Sequence, residues 1–231
     1  MESMLKPDDF VGISFWLASA IMLASTVFFL VERGDVNGKW RTSLTVAALV
    51  TGVAFWHYLY MRAGWVASVE AGNPSSPTVL RYIDWLITVP LQIVEFYLIL
   101  AAVTTVKPSL FWKLLVASLV MLIGGYMGEA QIWDRMPAFA IGMLGWAAVI
   151  YLIFVGEAAK ASEASGNAAG QMAFNALRMI LLVGWAIYPI GYLVGGPGNA
   201  DALNIIYNLA DLVNKAAFGL VIWAAAVKDS G

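Results

Sequence analysis

The sequence predicts an all-α membrane protein, a seven-transmembrane-helix bundle forming a single domain over residues 1–231. Three observations carry that prediction. Hydrophobic residues make up 61% of the chain and charged residues 12%, whereas a soluble domain carries about 25% charged residues. The mean hydropathy is +0.78. The apolar residues gather in seven runs, each near the roughly 20 residues that a helix needs to cross the hydrocarbon core.

The runs fall at residues 10–31, 43–61, 78–103, 111–127, 137–156, 172–194 and 202–227. Polar punctuation divides them. From Glu32 to Arg41 there are five charges together with Gly34 and Gly38. Asn73-Pro74-Ser75-Ser76-Pro77 is a cluster of turn formers. Pro108 and Pro137 stand at helix starts, where the N–H that proline lacks would have no intrahelical partner. Residues 157–171 read as a linker of small residues, and Gly195-Gly196-Pro197-Gly198 separates the last two runs. There is no internal repeat. The first nine residues carry Glu2, Lys6, Asp8 and Asp9 around no apolar stretch. They do not read as a signal peptide, so either none exists or it is missing from this form.

Orientation follows from the loop cations. With the N-terminus extracellular, the inner side holds Arg33, Lys39, Arg41, Lys107, Lys113, Lys160 and Lys228, and the outer side Lys6, Arg62 and Arg135. That imbalance puts the N-terminus out and the C-terminus in. The absence of cysteine excludes disulfides and thiolate metal sites, and a single histidine excludes a histidine-rich metal site. A net charge of −2 gives no reason to expect nucleic acid. Lipid is the expected surrounding.

Charge inside a bilayer is costly and usually marks function. Lys215 lies midway along the seventh run, too far from either end to snorkel to the headgroups. A buried amine of this kind suits a Schiff base with an aldehyde. The competing reading is an ion pair that only holds helices together. Asp211, four residues earlier, shares a helix face with Lys215 about 6 Å away along the axis, placed to serve as its counter-ion.

The third run carries the strongest pattern. Asp84, Thr88, Gln92 and Glu95 have offsets of 0, 4, 8 and 11 and line one face. Asp84 and Glu95 lie about 16 Å apart along the axis, one towards the outside and one towards the inside. Two carboxylates above and below a mid-membrane cation form a path for protons, one accepting and the other donating. A water-lined seam in some other transporter is the alternative. His57 lies late in the second run, near the depth of Asp84, where it can tune a carboxylate. Arg81, one turn outward, can stabilise an outer carboxylate or sit at the interface. Trp85, Trp146, Trp185 and Tyr188 fall well inside the runs and could wall a long flat chromophore, or simply pack the core.

The stretch Arg81-Tyr82-Ile83-Asp84-Trp85-Leu86-Ile87-Thr88-Val89-Pro90-Leu91 resembles the helix C signature of the microbial rhodopsins. Trp185-Ala186-Ile187-Tyr188-Pro189 resembles their ring-binding motif, and the segment from Tyr207 to Lys215 their retinal-lysine motif. Phe55-Trp56-His57-Tyr58 narrows the resemblance to the proteorhodopsins. It covers nearly the whole chain and implies a light-driven outward proton pump in the cell inner membrane, not an enzyme. By that resemblance Lys215 carries all-trans retinal, Asp84 is proton acceptor and main counter-ion, Asp211 the second counter-ion and Glu95 the proton donor. Trp85, Met121, Trp146, Trp185, Tyr188, Pro189 and Tyr207 match the retinal pocket, Thr88 the threonine beside the acceptor, and Arg81 the arginine beneath the counter-ions. His57 is implied to hydrogen-bond the acceptor and to reach Trp16 of a neighbouring protomer in a homo-oligomeric ring, pentamer or hexamer. Gln92 occupies the colour-tuning place, with Gln going with blue-absorbing members. The acidic residues at 84 and 95 set the pattern apart from sodium and chloride pumps. A slow-cycling photosensor working through a partner is the alternative within the same fold, and a pigment-free transporter the alternative outside it.

Overall fold

The computed structural model describes residues 5–195 and 198–231. Part of the N-terminal segment read as no signal peptide, residues 1–4, and the Gly196-Pro197 centre of the last predicted turn lie outside the described residues. The elements are α1 Phe10–Glu32, α2 Gly38–Glu70, α3 Thr78–Val103, α4 Pro108–Glu129, α5 Arg135–Phe154, α6 Glu157–Ala164, α7 Ala168–Met179, a π turn Ile180–Gly184, α8 Ile187–Val194 and α9 Ala200–Ser230. Seven spans are long and apolar enough to cross a membrane, with α7, the π turn and α8 together making the sixth.

The predicted runs sit inside these helices, and the differences lie at the ends. The second span reaches from residue 38 to 70 rather than 43 to 61, so Arg62 lies on a helix and not in a loop. Its extra turns at both ends are amphipathic or polar, invisible to a search for uninterrupted apolar residues. Residues 157–171 are largely helical too. α6 buries Ala158, Ala159 and Ser162, and Asn167 caps α7 by accepting from the Gly170 N–H at 2.7 Å. The small residues there favour close helical packing rather than an open linker. At the other end of the chain's first span, Asp9 caps α1 through the Gly12 N–H at 2.7 Å.

α3 and α9 occupy the middle of the bundle, and the buried polar residues Arg81, Asp84, Thr88, Gln92, Glu95, Asn204, Asn208, Asp211, Asn214 and Lys215 all lie on these two helices. α1, α2 and the sixth span pack around α9, while α4 and α5 pack against each other on the far side of α3. Small residues bring α4 and α5 into backbone contact. A Cβ on Gly124 would lie 2.7 Å from the Gly142 backbone nitrogen, the close approach that small residues permit between membrane helices.

The break in the sixth span has a local cause. Pro189 has no N–H to give the Trp185 carbonyl, which accepts instead from the Tyr188 N–H at 3.1 Å. That N–H is the ordinary partner of the Gly184 carbonyl. Asn214 of α9 replaces it, its Nδ2 donating to Gly184 O at 3.0 Å. The Trp185 N–H reaches back five residues to Ile180 O at 3.2 Å, closing the π turn. The displaced bonds are thereby met, and the sixth span is tied to α9 one residue before Lys215.

Candidate functional site

Lys215 is 2% exposed and sits between two carboxylates. Its Nζ lies 2.8 Å from Asp84 Oδ2 on α3 and 2.8 Å from Asp211 Oδ2 one turn earlier on α9. The two carboxylates differ in their other partners. Asp211 also accepts from Tyr58 Oη at 2.9 Å, Tyr188 Oη at 2.7 Å and Trp85 Nε1 at 3.1 Å. Four donors nearly fill the lone-pair sites of a carboxylate. Asp84 Oδ2 meets Lys215, but Asp84 Oδ1 is buried without a hydrogen bond. A proton arriving from Lys215 therefore finds acceptor capacity at Asp84 and little at Asp211.

One expectation about the surroundings of Asp84 needs correction, and two contacts are more specific than the sequence could say. His57 does not hydrogen-bond the acceptor. Its Nδ1 lies 3.7 Å from Asp84 Oδ1, beyond hydrogen-bond range, and 2.9 Å from the Val53 carbonyl one turn back on α2. His57 thus borders Asp84 while its nearer ring nitrogen is engaged by its own helix. Thr88 donates to the backbone carbonyl of Asp84 at 3.0 Å rather than to its side chain, the usual back-bond of a helical threonine. Arg81 contacts no carboxylate at hydrogen-bond distance. Its Nη2 donates to Asn204 Oδ1 at 2.8 Å and Asn208 Oδ1 at 2.7 Å, because α9 presents amides at that level and its acid one turn deeper. Asn208 in turn donates to Ser14 Oγ on α1 at 2.9 Å.

Glu95 is fully buried on the same stripe, and neither carboxyl oxygen makes a hydrogen bond. Ser43 of α2 is the polar side chain beside it. Phe96, next in sequence, packs edge-on against Phe174 and Phe218. Gln92 is buried and donates to the Asn214 backbone carbonyl at 3.3 Å, the residue before the lysine.

A cavity of about 680 Å³ of atom-free space, partly open, lies between α3, α4, α5, α8 and α9. Trp85, Met121, Trp146, Trp185, Tyr188, Pro189 and Tyr207, the residues that the resemblance assigned to a retinal pocket, all line it. So do Tyr82, Gly125, Phe139, Gly142, Met143 and Tyr192, which sequence reasoning did not single out. The glycines leave room where any side chain would intrude. Trp85 and Tyr188 border the cavity and also donate to Asp211, so cavity and lysine share a wall. Tyr58 was also missed, although it directly follows His57. Asn204 and Asn208 were missed as partners of Arg81. The spacing Asn204, Asn208, Asp211, Lys215 runs in helical steps of 4, 3 and 4 and is visible in the sequence.

Trp16 is 44% exposed, and the Arg62 guanidinium carbon lies 4.5 Å from its ring centre. His57 is buried, with the exposed Trp56 packed edge-on against it.

Seven spanning helices around a buried lysine, flanked by two acids and an apolar cavity, define an integral membrane protein built to hold an aldehyde chromophore. The chain belongs to the bacteriorhodopsin-like family, whose model, described as "Bacteriorhodopsin-like protein", matches residues 9–229. Its similarity to proteorhodopsins is high. It is 59% identical to the blue-light absorbing proteorhodopsin of Gamma-proteobacterium Hot 75m4 over 231 residues, covering 98% of this chain and 90% of the relative. It is 58% identical to the green-light absorbing proteorhodopsin of Gamma-proteobacterium EBAC31A08 over 230 residues, with the same coverage. The crystal structure of the blue light-absorbing proteorhodopsin from Med12 superposes with a TM-score of 0.82 at 64% identity, covering 96% of this chain and 100% of that one.

Proposed function

We propose that this protein is a light-driven pump that carries protons outward across the cell inner membrane, with its N-terminus outside. One observation carries the reading: the Lys215 amine lies 2.8 Å from both Asp84 and Asp211, with Glu95 eleven residues further in on the stripe of Asp84. The residues present fit retinal. The cavity is lined chiefly by aromatic and apolar side chains and shares a wall with the only buried lysine among the described residues. All-trans retinal, which Lys215 would hold as a protonated Schiff base, would supply light absorption and the isomerisation that starts transport. Trp85, Trp185, Tyr188 and Pro189 hold and orient it, with Met121 and Trp146 towards α4 and α5.

The chain's own groups then divide the proton work. Asp84 accepts, since its Oδ1 is open. Asp211 stays a fixed counter-ion under its four donors. Glu95 donates from the inner side, where a carboxyl without a cation among aromatic rings is neutral while it keeps its proton. Arg81, held by two asparagines, keeps a positive charge outward of both acids. His57 tunes Asp84 from 3.7 Å. The exposed Trp16 is a contact for a second copy in a ring of five or six protomers. Sensory signalling is the weaker reading, because a dedicated donor at Glu95 serves repeated turnover.

Vectorial transport in liposomes tests the pump directly: illumination should move protons in the direction that corresponds to outward in the cell. A protein that bleaches and recovers without moving protons would be a sensor. Asp84→Asn is expected to abolish transport. It should also remove the red shift that the parent shows when acid protonates Asp84, because the neutral side chain no longer stabilises the ground-state cation. The same acid transition persisting in Asp84→Asn would assign it to another group.

Colour rests on Gln92, since the blue and green relatives are equally similar overall. Its amide stabilises positive charge near the Schiff base in the ground state, which widens the excitation gap. Gln92→Leu should therefore move absorption to the red. An unmoved or blue-shifted spectrum would remove Gln92 from that role.

A further inference from the structure

Asn214, the residue before Lys215, is buried and is not used by the proposed mechanism. Its backbone carbonyl accepts from Gln92 on α3 at 3.3 Å. Its side chain crosses to the sixth span, where Nδ2 donates to the Gly184 carbonyl of the π turn at 3.0 Å and to Tyr188 Oη at 3.3 Å. The approach is close: a Cβ on Gly184 would overlap Asn214 Oδ1, so the amide needs a glycine there.

The hydrogens of this network follow from its acceptors. The Gly184 carbonyl only accepts, so the atom facing it is the amide nitrogen and not the amide oxygen. That nitrogen accepts nothing, so towards Tyr188 it also donates. The Tyr188 hydroxyl owns one hydrogen. With its oxygen receiving from Asn214, that hydrogen goes to Asp211 Oδ1 at 2.7 Å. The other donor to Asp211 Oδ1 is Trp85 Nε1, at the longer distance of 3.1 Å. If the Tyr188 hydrogen turned away, Asp211 Oδ1 would be open to a proton much as Asp84 Oδ1 is. A competing acceptor stands close by, since the Gly184 carbonyl shares the amide nitrogen with the Tyr188 oxygen. Asn214 occupies that carbonyl and removes the competition.

We infer that Asn214 is a positioning residue for the proton transfer: by holding the Gly184 carbonyl and donating to the Tyr188 oxygen, it keeps the Tyr188 hydrogen on Asp211 and so sends the Lys215 proton to Asp84. In that step the N–H bond at Lys215 breaks and an O–H bond forms on Asp84, while Asp211 remains a carboxylate. The inference rests on the pump reading and names the residue that selects between its two acids.

Time-resolved infrared spectroscopy of the full pigmented chain tests it, with Asp84→Glu and Asp211→Glu showing which acid carries each carboxylic-acid C=O band. The parent should show light-induced protonation at Asp84 alone. Asn214→Leu keeps a similar shape and loses the side-chain hydrogen bonds. In it the partition of the proton should move about tenfold or more towards Asp211, the effect of one hydrogen bond to a charged group. Tyr188→Phe should do the same, and the double variant should add nothing to either. A second readout needs no pigment. In the apoprotein, the tyrosine C–O band that Tyr188→Phe removes should shift in Asn214→Leu, because the hydroxyl oxygen no longer receives a hydrogen. If Asn214→Leu binds no retinal, that band and Tyr188→Phe still decide the matter. A proton that stays on Asp84 in either single variant, a double variant whose shift exceeds both, or an unmoved Tyr188 band would overturn the inference while leaving the pump intact. A parent protein that moves no protons in illuminated liposomes would overturn the pump reading and this inference with it.

Discussion

Lys215→Ala is expected to yield a chain that forms no covalent pigment with added all-trans retinal. Lys215 is the only buried lysine among the described residues, and its neighbours are arranged for it alone. The substitution also leaves Asp84 and Asp211 facing each other without the cation each contacts at 2.8 Å. Removing one partner of a buried ion pair costs about 3–5 kcal/mol, so loss of colour in the alanine variant could reflect loss of fold. Lys215→Arg separates the two causes. Arginine keeps a permanent positive charge between the acids, but its guanidinium does not form a Schiff base with an aldehyde. It should fold better than the alanine variant and still bind no retinal covalently. Borohydride trapping followed by peptide mapping checks the result. An adduct trapped on another lysine in either variant would show that Lys215 is not the attachment point. A pigmentless parent would instead support a lysine that only holds α3 to α9.

Glu95→Gln is the second large effect. The variant should keep nearly the parent's colour, because Glu95 lies about 16 Å along α3 from Asp84 and makes no hydrogen bond to any group at the lysine. The recovery of the proton at the lysine should slow by about 10²–10⁴-fold, the usual contribution of a positioned acid. The amide cannot give up a proton, and the rings of Phe96, Phe174 and Phe218 offer no substitute on that side. Flash photolysis reads this as prolonged decay of the deprotonated state. A small weak acid added to the medium should restore the rate in part. A decay unchanged by the substitution would take Glu95 out of the donor's place.

Much of this site is legible before any coordinates are drawn, because helical periodicity converts spacing into position. The intervals between Asp84, Thr88, Gln92 and Glu95, and between Asp211 and Lys215, place those residues on common faces whatever the helices pack against. Apolar run length likewise determines seven spans, since a membrane demands length and low charge and little else. The ends of α2 and the helical nature of residues 157–171 escape this logic. Beyond the hydrocarbon, polar residues no longer distinguish helix from loop.

Atom-level partners escape it for a different reason. Rotating a helix by a few tens of degrees leaves its sequence pattern intact and changes every contact across the interface. Resemblance placed His57 on Asp84 and Arg81 beneath the acids, and both lie at the right depth. Packing put the His57 Nδ1 on its own helix's carbonyl and Arg81 on Asn204 and Asn208. The cavity was half legible: the large aromatics announce themselves, while Gly125 and Gly142 matter through the side chains they lack. The sequence by itself determined the seven spans, the buried lysine and the stripe of acids, since these follow from composition and a fixed rise per residue. Only the tertiary structure decided that Asp211 is saturated with donors while Asp84 keeps an open oxygen. Four helices contribute to that difference, and their relative rotation is not written in any one of them.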